Sequence, residues 1–215
     1  MERTNPVGGC PTGREANCRT GHDASAPGLA AHERYLALMT HTAAQQAWII
    51  VSLLGSPAVM TGLCLVLVAV LALQREWRGA AACALIAGLG GLLNVWLKAL
   101  VRRPRPPGAD LFLHGHSWGF PSGHAMGSLI GYGMLCYVAS RYWSMPRSGG
   151  ASLDIGSLLI VAGVGVSRVA LGVHYAGDVI GGWVIGAVWL AGGIALLRRI
   201  EHGAVRPAPA SPPSR

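Results

Sequence analysis

Five apolar stretches, each close to the length of a membrane-crossing helix, most restrict how this chain can fold. They cover about residues 57–74, 79–100, 122–141, 153–171 and 177–197. About 20 apolar residues in one helix cross the hydrocarbon core of a bilayer, and a helix satisfies all of its backbone polar groups there. The sequence therefore predicts an all-α fold, a polytopic membrane helical bundle of about five transmembrane helices.

Composition agrees with a membrane location and argues against nucleic-acid binding. Charged residues make up 12% of the 215 residues, whereas about a quarter is typical of soluble domains. The formal net charge is +8, but the basic residues do not cluster into the stripe that a nucleic acid requires. We therefore expect the lipid bilayer as a partner, no nucleic acid and no obligate protein partner.

The segments outside the apolar stretches predict the domain organisation. Residues 1–30 are polar and predict a disordered arm. Residues 31–56 mix charged and apolar positions, which predicts an interfacial amphipathic helix. The membrane domain follows over residues 57–200, and residues 201–215 predict a flexible cytoplasmic tail. An alternative, in which residues 36–55 also enter the membrane and add a sixth span, stays open.

Positive charge at the ends of the stretches predicts the orientation. With five spans, the turns at 75–78 and 141–147 and the pair at 198–199 lie on one side, and together they carry six arginines. Cytoplasmic loops of membrane proteins are enriched in Lys and Arg, so this side is predicted to be cytoplasmic. The loop at 101–120 and the turn at 168–178 then face the periplasm or the cell exterior of a bacterial inner membrane.

Three short polar clusters lie at stretch ends on that predicted outer face. They are Lys98 with Arg105-Pro106, then Pro121-Ser122-Gly123-His124, then Ser167-Arg168 with His174 and Asp178. Charged groups at a membrane are costly, so function is their default explanation. Each cluster alone has an ordinary structural alternative, such as cations that anchor a helix at the interface.

Five of these residues suit the binding of a phosphate group. Lys98, the only lysine of the chain, offers a point charge, whereas Arg105 and Arg168 offer planar forks of donors. Ser122 and Gly123 open a predicted helix, where Ser122 is a good N-cap. Free backbone N–H groups and the helix dipole favour an anion at that position.

A histidine and a carboxylate four residues apart suit nucleophilic attack. Asp178 can reach the imidazole of His174 from the start of the fifth stretch. A buried carboxylate on one ring nitrogen fixes the tautomer and leaves the other nitrogen free to attack. A purely structural His–Asp pair at a helix start is the alternative.

The order and spacing of the clusters resemble the signature of the type 2 phosphatidic acid phosphatase (PAP2) superfamily. That signature is Lys, six residues, Arg-Pro; then Pro-Ser-Gly-His; then Ser-Arg, five residues, His, three residues, Asp. The resemblance covers about residues 57–198. It implies that His174 attacks phosphorus and forms a phosphohistidine, that Asp178 orients it, and that His124 protonates the leaving oxygen and later helps to activate water. It further implies that the phosphate is bound by Lys98, Arg105, Ser122, Gly123 and Arg168. It also implies that no metal or other cofactor is required.

The expected function is a metal-independent, integral-membrane lipid phosphatase. Its substrate stays open among phosphatidylglycerophosphate, phosphatidate and undecaprenyl diphosphate. The alternatives are a lipid-to-lipid phosphotransferase of the same family and a catalytically silent lipid-binding membrane protein. Vanadate-dependent haloperoxidases share the signature, but they are soluble and larger, which fits this apolar chain poorly.

Overall fold

A computed structural model of the chain describes residues 42–107, 109, 117–143 and 146–203. These ranges contain six helices, which are α1 (Ala43–Leu53), α2 (Pro57–Leu73), α3 (Trp77–Val101), α4 (Gly123–Tyr142), α5 (Arg147–Ala170) and α6 (Ala176–Gly203). The predicted arm at 1–30 lies outside the described residues. So do the first part of the amphipathic segment, up to residue 41, and the tail from residue 204.

Local sequence signals fix the first two helix starts. Thr42 caps α1 by accepting the Gln45 backbone N–H, and the Gln45 side-chain oxygen accepts the Thr42 backbone N–H. The Ser56 hydroxyl caps α2 by accepting the Val59 backbone N–H, and Pro57 occupies the first helical position. Hydroxyl caps satisfy otherwise free N–H groups, and proline has no N–H to lose there.

Four segments of the described chain are long and apolar enough to cross a membrane, and they are Ala43–Leu73, Trp77–Val101, Ser148–Ala170 and Ala176–Glu201. The first combines α1 and α2, which meet at a turn over residues 54–56. The fifth long helix, α4, has 20 residues and carries many buried side chains at the centre of the bundle. The predicted all-α membrane bundle is therefore confirmed.

Most helix ends lie within two residues of the predicted boundaries, with two exceptions. The fifth stretch was predicted to end at 197, but α6 continues to Gly203. The fourth stretch was predicted to begin at 153, but α5 begins at Arg147. The serine and two glycines at 148–150 favour a turn by composition. They lie in the first turn of α5 instead, because the helix starts directly after Pro146. The backbone N–H of Gly150 already donates to Pro146 O at 2.9 Å.

Glycine allows α6 to approach the first turns of α4. A Cβ at Gly182 would lie 2.9 Å from Ser122 O, and one at Gly186 would lie 3.2 Å from Met126 O. Small residues at such crossings let two helix backbones pack closely within a membrane. The Ser122 N–H consequently donates to Asp178 O at 2.9 Å, which joins the starts of α4 and α6.

The helix directions bring all three polar clusters to one end of the bundle. α3 and α5 finish there, and α4 and α6 begin there, so we call it the site end. The loop after α3 starts at Arg102 in the left-handed region, with φ 48°. It returns to α4 with a hydrogen bond from Gly119 N to Arg103 O at 2.8 Å, which closes the loop beside the cluster residues.

Candidate active site

One cavity of about 760 Å³ connects the clusters that the sequence separates. Its polar part is lined by Lys98, Arg105, His124, Arg168 and His174, with Gly123 beside them. The two remaining predicted site residues, Ser122 and Asp178, are fully buried at 0% exposure. They join the site through their contacts with each other and with the residues that line it. All eight predicted site residues are thus brought together at the site end.

The turn between α5 and α6 presents His174 to Asp178. Gly172 adopts φ 67°, a conformation that costs glycine little. Asp178 is the third residue of α6, and its Oδ2 accepts the Tyr175 backbone N–H at 3.0 Å. This is one half of a capping box. The same Oδ2 lies 3.5 Å from His174 Nδ1, so the capping carboxylate also faces the imidazole.

Arg105 determines which imidazole nitrogen carries the proton. Its Nη1 lies 3.0 Å from His174 Nε2 and donates to Val173 O at 2.9 Å. A guanidinium has only donors, so Nε2 must be the acceptor of this contact. The proton is therefore on Nδ1 and points toward Asp178. Nε2, with its lone pair, faces the cavity cations.

The other two cations are held by groups outside the predicted motifs. Lys98 Nζ donates to Trp118 O at 2.7 Å. Arg168 is only 7% exposed, and its Nη1 donates to the Ser52 hydroxyl of α1 at 2.6 Å. Three positive charges consequently converge on the cavity from α3, from the loop after α3 and from the end of α5.

Ser122 occupies the predicted N-cap position of α4, but its hydroxyl makes no capping hydrogen bond. Its ψ is 116°, whereas Thr42 and Ser56, which do cap their helices, have ψ 154° and 151°. The prediction of a capping hydroxyl at Ser122 is therefore wrong. A buried hydroxyl without a backbone partner is instead able to donate to a ligand.

Unsatisfied polar atoms concentrate at this site. Within the described part of the chain, five buried side-chain polar atoms have no hydrogen-bond partner, and three of them are Ser122 Oγ, Arg168 Nε and His174 Nδ1. Buried polar groups are normally satisfied, so such a concentration requires an explanation. All three can donate a hydrogen bond. His174 Nδ1 points toward Asp178, whereas Ser122 Oγ and Arg168 Nε are donors that suit the oxygens of an anion. The same described ranges contain no group of three or more His, Cys, Asp or Glu side chains that could hold a metal ion.

The surroundings of His174 favour its neutral form. Burial, followed by the positive charges of Arg105, Lys98 and Arg168, lowers the pKa of His174 from its ordinary 6.5 to about 2. Both causes disfavour a cationic imidazole. The side chain is therefore neutral at physiological pH, and the lone pair of its Nε2 accepts the Arg105 N–H.

Beyond the cations the cavity becomes apolar and continues between α2, α3 and α4. Its lining includes Met60, Leu65, Val68 and several small residues. Among the latter, Gly91 of α3 has open space where a Cβ would stand. The cavity thus combines a cationic end with a hydrocarbon-like body, which matches a molecule with a charged head and an apolar chain.

Two residues that contact the site were not predicted from the sequence. Arg103 forms an ion pair with Asp178 at 2.8 Å, and Ser52 holds Arg168. For Arg103 a signal existed, because a buried carboxylate needs a cation and Arg103-Pro104 repeats the pattern of the motif that follows it. A lone serine in an apolar helix carries no comparable signal.

Comparison with known proteins places the chain in a family. The family model described as the PAP2 superfamily matches residues 79–201, more than half of the chain. The chain belongs to the PAP2 superfamily. The resemblance inferred from the three motifs is confirmed.

Two relatives come from Bacillus subtilis. Phosphatidylglycerophosphatase B of strain 168 is 35% identical over 113 residues, which are 53% of this chain and 55% of that protein. The chain therefore spans about half the length of the curated relative it matches. The crystal structure of a transmembrane PAP2 type phosphatidylglycerolphosphate phosphatase has a TM-score of 0.66 and 26% identity, covering 86% of this chain and 90% of that one. The architecture of this chain is that of a multi-pass membrane PAP2 protein.

Proposed function

We propose that this protein is a metal-independent phosphatase of membrane lipid phosphates that works through a phosphohistidine at His174. The observation that carries the proposal is one cavity with a cationic end, where Asp178 lies behind His174, and an apolar body. Binding of a soluble phosphate ester would require only the cationic end of the cavity. The names of the two Bacillus subtilis relatives support phosphatidylglycerophosphate as the first substrate to test, and phosphatidate and undecaprenyl diphosphate share the required chemistry.

The proposed first step transfers the phosphoryl group to His174. A phosphate oxygen takes over the Arg105 donor that now contacts Nε2, which frees this lone pair for attack. The new P–N bond forms as the P–O bond to the leaving group breaks. His124, which takes up a proton once the bound phosphate offsets the cavity cations, gives that proton to the leaving oxygen. Asp178 accepts the Nδ1–H and stabilises the charge that develops on the ring.

The second step returns the enzyme to its starting state. His124 takes a proton from water, the water oxygen attacks phosphorus, and the P–N bond breaks to release orthophosphate. Lys98, Arg105 and Arg168, with Ser122 and the Gly123 N–H, hold the phosphoryl oxygens in both steps. Preorganised positive charge and donors stabilise the in-line transition state more than the ground state.

We further propose a bacterial inner membrane as the location, with the site at the periplasmic or extracellular face. The arginine-containing turns at 75–78 and 141–147 and the pair at 198–199 lie at the end opposite the site. Because positive loops remain in the cytoplasm, the site end would face outward. There it meets lipid headgroups while their chains remain in the bilayer.

A substrate panel tests the proposal. Purified full-length protein in detergent is offered phosphatidylglycerophosphate, phosphatidate and undecaprenyl diphosphate, with and without a metal chelator, and orthophosphate is measured. We expect release from at least one lipid, unchanged by the chelator. The proposal is wrong if no lipid releases phosphate or if the chelator abolishes release. Recovery of the phosphate on a second lipid would instead identify a phosphotransferase.

A further inference from the structure

Arg103 is the charged partner of the carboxylate that faces the nucleophile. Its Nη1 donates to Asp178 Oδ1 at 2.8 Å, and the side-chain exposures are 41% for Arg103 and 0% for Asp178. The second carboxylate oxygen, Oδ2, accepts the Tyr175 N–H and faces His174 Nδ1. The two oxygens therefore have separate tasks, one toward the arginine and one toward the imidazole.

The guanidinium of Arg103 is held in place by its surroundings. It lies over the ring of Tyr175, 4.9 Å from the centroid, where a cation is attracted to the aromatic face. The Arg103 carbonyl accepts the Gly119 N–H at 2.8 Å. A Cβ at Gly177 would approach Arg103 Nη1 to 3.4 Å. These contacts direct one N–H of Arg103 at Asp178. The Arg103 guanidinium therefore points away from Lys98, Arg105 and Arg168.

The charges around Asp178 show why this contact matters. His174 faces it from the preceding turn, Lys98 acts on it from the end of α3, and Arg103 contacts it directly. Since the imidazole of His174 is neutral, Arg103 is the cation in direct contact with this carboxylate among the described residues. A buried carboxylate without such a partner is costly and tends to take up a proton or to rotate toward another donor.

We infer that Arg103 is a positioning residue that holds the Asp178 carboxylate turned so that Oδ2 faces His174 Nδ1. Arg103 acts through Asp178 and does not touch the phosphoryl group. Its loss leaves the cations of the phosphate site in place but removes the orientation of the nucleophile. The inference rests on the proposed phosphatase activity, because it concerns the rate at which His174 attacks.

Single substitutions at the two neighbouring arginines provide the first test. In purified full-length protein, Arg103→Gln lowers kcat about 10²-fold, the upper range for a residue that orients a catalytic group through one hydrogen bond. KM for the lipid phosphate stays within about twofold. Arg103→Lys restores most of the rate because it keeps the charge. Arg102→Gln is the matched control, since Arg102 is exposed and donates to Ala99 O; we expect wild-type kinetics from it.

A double-mutant cycle separates positioning from direct contact with substrate. In an Asp178→Asn background the carboxylate is gone, so adding Arg103→Gln costs no further activity. The double variant also contains no unpaired buried charge, so it reports on the inference even where Arg103→Gln alone fails to fold.

Three outcomes overturn the inference. They are wild-type kcat in Arg103→Gln, losses that multiply in the double variant, and a raised KM at unchanged kcat, which would place Arg103 on the headgroup. If the wild-type protein itself hydrolyses no lipid phosphate, the proposed function fails instead. An active wild type with an equally active Arg103→Gln variant refutes only the role of Arg103.

Discussion

The two ends of the bundle treat charge in different ways. At the end opposite the site, Arg141 and Glu201 form an ion pair at 3.6 Å, and the Arg141 side chain is 54% exposed. Tyr142 adds a hydrogen bond to the same glutamate at 3.3 Å. At the site end, Arg168 is buried and its Nε has no partner among the described residues. The Arg141 charge is thus paired and half-exposed at one end, whereas the Arg168 charge is buried at the other.

This difference supports the proposal that the site end performs the chemistry. Exposed ion pairs contribute about 0–1 kcal/mol to stability, so the cluster at the opposite end is dispensable for the fold. Burying several like charges together is unfavourable unless an anion compensates them. The proposed phosphate-binding function would account for this loss of stability at the site end, because catalysis requires preorganised charge.

Removing one arginine from each end should give the largest difference between the two ends. Arg168→Ala should lower kcat/KM for the lipid phosphate by about 10²–10³-fold, because it deletes a donor to the phosphoryl oxygens. Arg141→Ala should leave kcat/KM unchanged and shift thermal stability only slightly. Steady-state kinetics and thermal unfolding of both variants test this. Equal losses in the two variants would mean that the ends do not differ in function.

A second prediction concerns the apolar body of the cavity. Gly91→Leu fills the cavity beside α3, so kcat/KM for a long-chain lipid phosphate should fall about tenfold, or about 1.4 kcal/mol. Hydrolysis of a short, water-soluble phosphate ester should not change, because its apolar part ends before this position. Gly192→Leu on α6 is the control, since Gly192 also has open space for a Cβ but does not line the cavity.

Two outcomes of this experiment would contradict the prediction. Equal effects of Gly91→Leu on long and short substrates would mean that the apolar body does not receive the lipid chain. A loss in Gly192→Leu as large as in Gly91→Leu would indicate a general effect on the bundle.

A third prediction follows from the low pKa of His174. Its folded-state pKa of about 2 lies below the ordinary 6.5, so the folded protein binds fewer protons than the unfolded chain as pH falls. The contribution of this residue to stability is therefore complete above about pH 6.5 and declines below it. In histidine-labelled protein, the NMR signal missing from His174→Asn should show a neutral imidazole from pH 8 to pH 5. A midpoint near 6.5 would contradict the described surroundings.

The sequence was sufficient to predict the architecture and which residues meet at the site end, but not the contacts among them. Helix lengths and motif spacing place Lys98, His124 and His174 at one end, because alternating spans return every second boundary to the same side. The partner of Arg168 is Ser52, 116 positions away along the chain. That contact depends on how α1 packs against α5, for which a single serine gives no pattern.

Local backbone geometry accounts for the remaining differences. The N-cap pattern at Ser122 is correct in position, but its ψ turns the hydroxyl away from a capping bond. Arg103 and Arg105 both precede a proline, yet only the fold decides that Arg103 meets Asp178 and Arg105 meets His174. Side-chain partners of this kind follow from tertiary packing and not from spacing.

Trapping the phosphohistidine tests directly whether the clusters form one phosphoryl-transfer site around His174. Full-length protein is mixed with a lipid phosphate labelled in the transferred phosphoryl group and quenched within one turnover. We expect protein-bound phosphate that survives alkali, is lost in acid and maps to the peptide containing His174. It should be absent from His174→Asn. Label on a different residue, or turnover of His174→Asn at the wild-type rate, would contradict the account.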